Sequence, residues 1–211
     1  GCLVGSEMCI RDSFASSTAI APCKIARGTG NIAREPAMTA QQCAQAIDAG
    51  ARLVAEMGPT DLLAVGEMGI GNSTVSAALV AALLQREPAA VVGRGTGVGP
   101  ATCAHKQTVV ARALQRHGSS REPTALLASL GGLELAGLVG VLEEAARRRI
   151  PVVLDGFITG AAALVAVRRT PGVRRILIAG HQSAEPGHAL VLEALELTPL
   201  LTLGLCLGEG S

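Results

Sequence analysis

Apolar residues along this chain come in short runs, separated by glycine, proline and small polar clusters. The spacing within each run predicts its element. Thr39-Ala40-Gln41-Gln42 has capping-box form, with Thr at the cap and Gln three positions later. It predicts a helix to about Met57, closed by Gly58-Pro59. Leu62–Val65 reads as a buried strand and Ser73–Leu84 as a helix. The loop Gly93–Gly99 precedes a helix over about Ala101–His117, broken by Gly118-Ser119-Ser120. Two helices flank Gly131-Gly132. Glu143-Glu144 and Arg147-Arg148-Arg149 are expected exposed at the end of the second, where cations suit the helix dipole. Strand Ile150–Leu154 ends at Asp155-Gly156, and helix Gly160–Arg168, strand Arg175–Ile178 and helix Pro186–Leu195 follow. Strands alternating with helices predict an α/β fold with an open, mainly parallel sheet flanked by helices. There is no internal repeat or linker, so one domain is expected.

Composition narrows what such a domain does. Of 211 residues, 49% are hydrophobic and 17% charged, enough for a sizeable core. The mean hydropathy of +0.42 invites a membrane reading. However, Glu134 and Gly131-Gly132 interrupt the apolar stretch Ala125–Leu142, and Asp155 interrupts Ile150–Val167. No membrane span is expected, because strands covered on both faces explain the apolarity. The net charge of +1 supplies no field for nucleic acid. With Phe14 and Phe157 as the only aromatics, base-stacking platforms are absent too, so no nucleic-acid partner is expected. The six cysteines lack C-x-x-C or zinc spacing, which points to a reducing cytoplasm and no metal.

The segment 1–13 differs from the rest: it holds two cysteines, has no clear period and is unlike a signal peptide. Met8-Cys9-Ile10-Arg11-Asp12-Ser13 back-translates to a sequence like the transposon end used in sequencing adapters. We expect residues 1–13 to be non-native and residues 14–211 to form the domain.

The candidate chemistry lies in loops. Gly66-Glu67-Met68-Gly69-Ile70-Gly71-Asn72-Ser73-Thr74 joins a strand to a helix. Such a loop can turn backbone N–H groups toward an anion at the positive end of a helix dipole. It also reads as a turn that needs glycine for positive φ and a small polar cap. The second cluster, Gly93-Arg94-Gly95-Thr96-Gly97-Val98-Gly99 with Lys106 downstream, favours the anion reading. Ligands of open parallel sheets sit beyond the carboxyl ends of strands. Glu67, Asp155 and His181-Gln182-Ser183 all fall at such ends. A dinucleotide-binding fingerprint is not met, since Gly93–Gly99 follows no clear strand and lacks the downstream acid; a P-loop lysine is absent as well.

These motifs resemble the nicotinate-nucleotide:dimethylbenzimidazole phosphoribosyltransferases. Besides both glycine loops, Gly131-Gly132-Leu133-Glu134, Asp155-Gly156-Phe157-Ile158, Ser183-Ala184-Glu185-Pro186-Gly187-His188 and Leu207-Gly208-Glu209-Gly210 occur in the family's order. The departures are a missing longer N-terminal part, which supplies some of the base pocket, and Cys206 where the family usually has Arg. The resemblance implies a Rossmann-like fold, a homodimer and no cofactor. It implies transfer of 5-phosphoribose from nicotinate mononucleotide to the benzimidazole-type base 5,6-dimethylbenzimidazole, giving α-ribazole 5′-phosphate and nicotinate, in assembly of the cobalamin lower-ligand nucleotide. By resemblance Glu209 is the general base and Leu205 and Leu207 form an apolar rim beside it. Glu67 is the second carboxylate, assisting proton removal or orienting ribose. Gly69, Gly71, Gly95 and Gly97 would admit the phosphate beside Asn72 and Thr96, with Lys106 and Ser183 as contacts. Asp155 would hold a ribose hydroxyl or simply form a turn, and His181 and His188 are expected to be structural. The competing reading is a non-catalytic nucleotide-binding α/β protein, or an inactive fragment of the enzyme.

Overall fold

The computed structural model describes residues 23–95 and 97–205, with Leu205 described by its backbone alone. The segment 1–13 lies outside the described residues. Helix α1 (Ala40–Glu56) begins at the expected capping box. Thr39 Oγ1 accepts from the Gln42 N–H at 3.1 Å, and Gln42 Oε1 accepts from the Thr39 N–H at 2.9 Å.

The central sheet is parallel, in the order β1 (Leu63–Val65), β2 (Val152–Leu154), β3 (Leu177–Ala179). Val65 is in register with Leu154, and Leu154 with Ala179, so the three strands end at one level. Between β1 and β2 run α2 (Asn72–Leu84), a short α3 (Pro88–Val91), α4 (Pro100–His117), α5 (Pro123–Leu130) and α6 (Leu133–Arg148). Helix α7 (Phe157–Arg169) and a 3-10 turn (Pro171–Ile176) lead into β3. After β4 (His181–Ser183), α8 (Pro186–Leu195) and β5 (Leu201–Leu205), β4 and β5 pair in parallel as a separate ribbon.

The high apolar content is core. Helix α2 is buried from Ser76 through Leu83, and α7 from Thr159 through Ala166. Helices covered on all sides need no polar face. Among the described residues, no helix is long and apolar enough to cross a membrane. Helices α1 and α6 meet closely enough that a Cβ on Gly50 would lie 1.9 Å from the Gly137 carbonyl oxygen, and one on Gly140 1.9 Å from that of Ile47. Glycine is required at this crossing because backbone packs on backbone.

Several expectations are corrected. Helix α7 starts at Phe157, not Gly160. Gly156 is its N-cap, and Thr159 Oγ1 donates to the Gly156 carbonyl at 3.0 Å, so the interior glycine does not delay the helix. The strand expected over Arg175–Ile178 is Leu177–Ala179, because the turn that opens at Pro171 takes up Arg175 and Ile176. The cluster at the end of α6 is only partly exposed. Glu143 is half-buried and accepts from Arg169 Nε at 2.9 Å, and Glu144 is half-buried beside Arg147. Arg148 reaches across to cap α1, donating to the carbonyls of Val54 and Met57. A cation at a neighbouring helix's C-terminus satisfies the same unpaired carbonyls that its own helix would offer.

Candidate active site

The level ends of β1 and β2 open on a cavity of about 770 Å³, completed by the two glycine loops and the residues before α8. Glu67, Gly69, Gly71 and Asn72 border it from the first loop, Gly95, Gly97 and Lys106 from the second loop and α4. Asp155 and Ser183 close it from the ends of β2 and β4. Segments far apart in sequence thus share one space. Thr96, Leu207 and Glu209, with the side chain of Leu205, lie outside the described residues.

Gly71 takes φ +79° as the N-cap of α2, a left-handed conformation that needs glycine. Gly97, at φ +105°, does the same in the second loop. Gly69 has a different reason. A Cβ there would lie 2.5 Å from Asn72 Nδ2 and 2.9 Å from Glu134 Oε1, so glycine makes room for an amide and a carboxylate. Gly95 has its N–H engaged: it donates to Glu185 Oε1 at 2.7 Å. Gly95 nevertheless lines the cavity, as expected of a loop that admits a ligand.

Lys106 is not an ordinary surface helix lysine. It is 8% exposed. Its Nζ donates to the Gly93 carbonyl at 2.9 Å and to Ser73 Oγ at 3.1 Å, linking the second loop to the first turn of α2. Both of these partners are neutral. A buried ammonium bonded to neutral oxygens strongly favours an anion beside it.

Glu67 receives the Asn72 Nδ2 amide. Burial pushes its carboxyl up to about 7, opposed by the Asn72 amide and aided by Glu134; the Gly69 N–H lowers it and Asp155 adds a smaller push upward. A carboxyl near 7 can both take and give a proton at physiological pH. Glu134 is 7% exposed and also raised by burial, while its own N–H and Asn72 lower it.

Asp155 sits at the end of β2, with its Oδ1 3.6 Å from His181 Nδ1. His188 is buried, and burial with the neighbouring His181 holds it down at about 4, so it is neutral at pH 7. Its Nδ1 accepts from the Ser183 N–H at 3.0 Å, with Ser183 Oγ equally near. Both histidines thus have structural partners, and Ser183 does not cap α8, whose N-cap is Glu185. Among the described residues no group of three His, Cys, Asp or Glu side chains could hold a metal.

Reasoning from sequence does not single out Glu134, Glu185 or Ser73 as individual site residues. In the sequence Glu134 stands as an interruption in an apolar stretch. That is itself the signal, because a lone carboxylate among residues destined for burial needs a partner.

A family model described as phosphoribosyltransferase matches residues 3–211. A protein of Xanthomonas axonopodis pv. citri (strain 306) named nicotinate-nucleotide--dimethylbenzimidazole phosphoribosyltransferase is 52% identical over 189 residues, 89% of this chain and 54% of that protein. A protein of the same name from Chloroflexus aggregans (strain MD-66 / DSM 9485) is 49% identical over 191 residues, with the same coverage of each. The crystal structure of CobT from Thermus thermophilus superposes with a TM-score of 0.89 at 46% identity, covering 95% of this chain and 61% of that one. The chain thus spans about half the length of the named relatives it matches.

Proposed function

On the premise that this chain belongs to the nicotinate-nucleotide:dimethylbenzimidazole phosphoribosyltransferase family, we propose that its main cavity transfers 5-phosphoribose from nicotinate mononucleotide to 5,6-dimethylbenzimidazole. The products are nicotinate and α-ribazole 5′-phosphate. The observation that carries the reading is the buried Lys106 ammonium, which shares one cavity with a carboxyl poised near neutrality at Glu67.

The chemistry asks for little else. The bond between the anomeric carbon and the pyridinium nitrogen breaks, and the leaving nicotinate keeps the electron pair. A benzimidazole ring nitrogen bonds to the opposite face of that carbon, which inverts it. The other ring nitrogen then gives up its proton. Lys106, aided by Gly71 and Gly97, holds the 5′-phosphate in this reading, through a charge-assisted contact. Ser183 adds a hydrogen bond and Asp155 accepts from a ribose hydroxyl. Family resemblance assigns the general base to Glu209, and Glu67 is the second carboxylate at the reacting centre. Leu205 and Leu207 line the aromatic base. The leaving group departs by shedding positive charge, so neither a metal nor a cofactor enters the scheme. The family resemblance supports a homodimer, and Cys43 and Cys103, present as thiols rather than disulfides, support a cytoplasmic setting.

The test is to incubate the chain with nicotinate mononucleotide and dimethylbenzimidazole and follow both products by liquid chromatography and mass spectrometry. Equal release of nicotinate and α-ribazole 5′-phosphate supports the transferase. Nucleotide binding without nicotinate release supports the second reading, a non-catalytic binder or inactive fragment, which the 54% span of the relatives keeps in play.

A further inference from the structure

The second glycine loop is held from two sides. Lys106 Nζ donates to the Gly93 carbonyl at 2.9 Å from α4, the helix that follows the loop, and Cys103 Sγ reaches the same carbonyl at 3.8 Å. From the other side Glu185 Oε1 accepts from the Gly95 N–H at 2.7 Å, across 90 positions of sequence. The fit there is close. A Cβ on Gly93 would lie 2.4 Å from Glu185 Oε2 and 2.6 Å from both its Cδ and its Oε1. Glycine at position 93 therefore makes room for a carboxylate. The loop's other bonds are internal: the Gly97 and Val98 N–H groups donate to the Arg94 carbonyl, and Arg94 Nε donates to that of Val98. Among the described residues, Glu185 is thus the hydrogen-bonded tie between this loop and a distant part of the chain.

Glu185 is placed for this reach. It is the N-cap of α8, where an acceptor ordinarily satisfies the first turn, yet its side chain makes no cap bond to that helix. The start of α8 is itself firmly seated. A Cβ on Gly187 would lie 2.6 Å from Phe157 Cε2 and 2.8 Å from Cγ1 of Val91, two positions before Gly93. We propose that Glu185 is a positioning residue for Lys106. Its carboxylate latches Gly95 and so holds the Gly93 carbonyl where the ammonium donates to it. That fixes the ammonium in the cavity wall for the phosphate of a nucleotide. This rests on the reading of Lys106 as the phosphate contact described above. Glu185 acts through the loop and touches no substrate in this scheme.

The rival assignment makes the Glu185 carboxylate a stand-in for phosphate, displaced whenever a nucleotide binds. The geometry favours the latch. Glu185 Oε2 is buried, and it occupies the place that any side chain at position 93 would need. The carboxylate is therefore packed into the loop rather than held out over the cavity. The two assignments predict opposite effects of removing it: loss of a latch weakens nucleotide binding, and loss of a stand-in tightens it.

The test uses the full 211-residue chain. Amide hydrogen exchange is followed by NMR without ligand, and nicotinate mononucleotide binding by calorimetric titration. In Glu185→Ala the Gly95 N–H is expected to exchange about 10-fold faster or more, while the amides of buried α2 keep their parent rates. The nucleotide should bind about 10-fold more weakly. Glu185→Gln keeps a carbonyl oxygen for Gly95, so protection and binding should return to within about 3-fold of the parent. Gly93→Ala reaches the same latch from the opposite side. The group that must give way is the end of a flexible side chain, so this variant should fold and should release Gly95 as Glu185→Ala does. Combining the two should add no further loss. Unchanged Gly95 exchange in Glu185→Ala, or in Gly93→Ala if the first variant fails to fold, would overturn the proposal. So would tighter nucleotide binding in either one, which would mark the carboxylate as a stand-in for phosphate. A parent chain that binds no nucleotide would instead sink the transferase reading, and the ligand-free Gly95 exchange would still decide whether Glu185 holds the loop.

Discussion

Lys106 Nζ lies 3.1 Å from Ser73 Oγ, a bond that joins α4 to the first turn of α2 in the wall of the cavity. The two residues stand 33 positions apart, each in the helix that follows one of the two glycine-rich loops. Through this bond the ammonium is aimed at the N-terminus of α2, whose dipole favours an anion on the same spot.

Replacing Lys106 with Met should therefore separate binding from folding. Loss of one charge-assisted contact is worth about 1.5–3 kcal/mol, so nicotinate mononucleotide should bind about 10- to 100-fold more weakly. The side chain's bulk is kept, so the ligand-free melting temperature should change by only a few degrees. Calorimetric titration checks the first point and a thermal melt the second.

Glu67 gives a pH dependence of known sign. Its folded value of about 7 lies above the ordinary 4.5, so the folded state holds the proton more tightly than the unfolded chain. That stabilisation is full below about pH 4.5 and is lost as the pH rises through 7. Glu67→Gln should abolish this component and flatten the fall in stability between about pH 4.5 and 7. Urea melts across that range measure it.

His188 works in the opposite direction. Its folded value of about 4 lies below the ordinary 6.5. Its contribution is full above pH 6.5 and is lost as the pH falls through 4. His188→Gln should lessen acid destabilisation across that window. It should also weaken the Ser183 N–H contact at 3.0 Å, for which a Gln carbonyl is a poorer geometric match. The same urea series, extended to lower pH, reads both effects.

The crossing of α1 and α6 is a purely structural prediction. Gly50→Ala gains roughly 0.5–1 kcal/mol of helix propensity. It also drives a methyl toward the Gly137 carbonyl oxygen, 1.9 Å from the ideal Cβ position. Overpacking of this kind costs about 1–3 kcal/mol, so the clash should win and the denaturation midpoint should fall.

What the sequence reveals and what it hides have physical reasons. The capping box at Thr39 and Gln42 is a local device, and the helix begins where it stands. Pro186–Leu195 is bounded by a proline at N1 and is legible at both ends. The parallel sheet follows from strands alternating with helices. The ribbon of β4 and β5 is hidden, because His181-Gln182-Ser183 has no apolar run and pairs with a segment some 20 residues away. The cavity-lining glycines are visible, but their separate uses are not. Gly69 gives way to Asn72 and Glu134, and the Gly95 N–H meets Glu185, through contacts made only by folding. The place of Lys106 after the second glycine cluster marks it in the sequence, but its burial and its bonds to Gly93 and Ser73 arise only when α4 packs against the glycine loop.

The central claim is that one cavity binds a phosphoribosyl nucleotide and passes its sugar to an aromatic base. Its most direct test is a single-turnover reaction of the chain with nicotinate mononucleotide and dimethylbenzimidazole, run beside Lys106→Met. The account predicts equal amounts of nicotinate and α-ribazole 5′-phosphate from the parent chain and a large loss in the variant at low nucleotide concentration. A parent chain that melts cooperatively, yet neither gains stability from the nucleotide nor releases nicotinate, would contradict it.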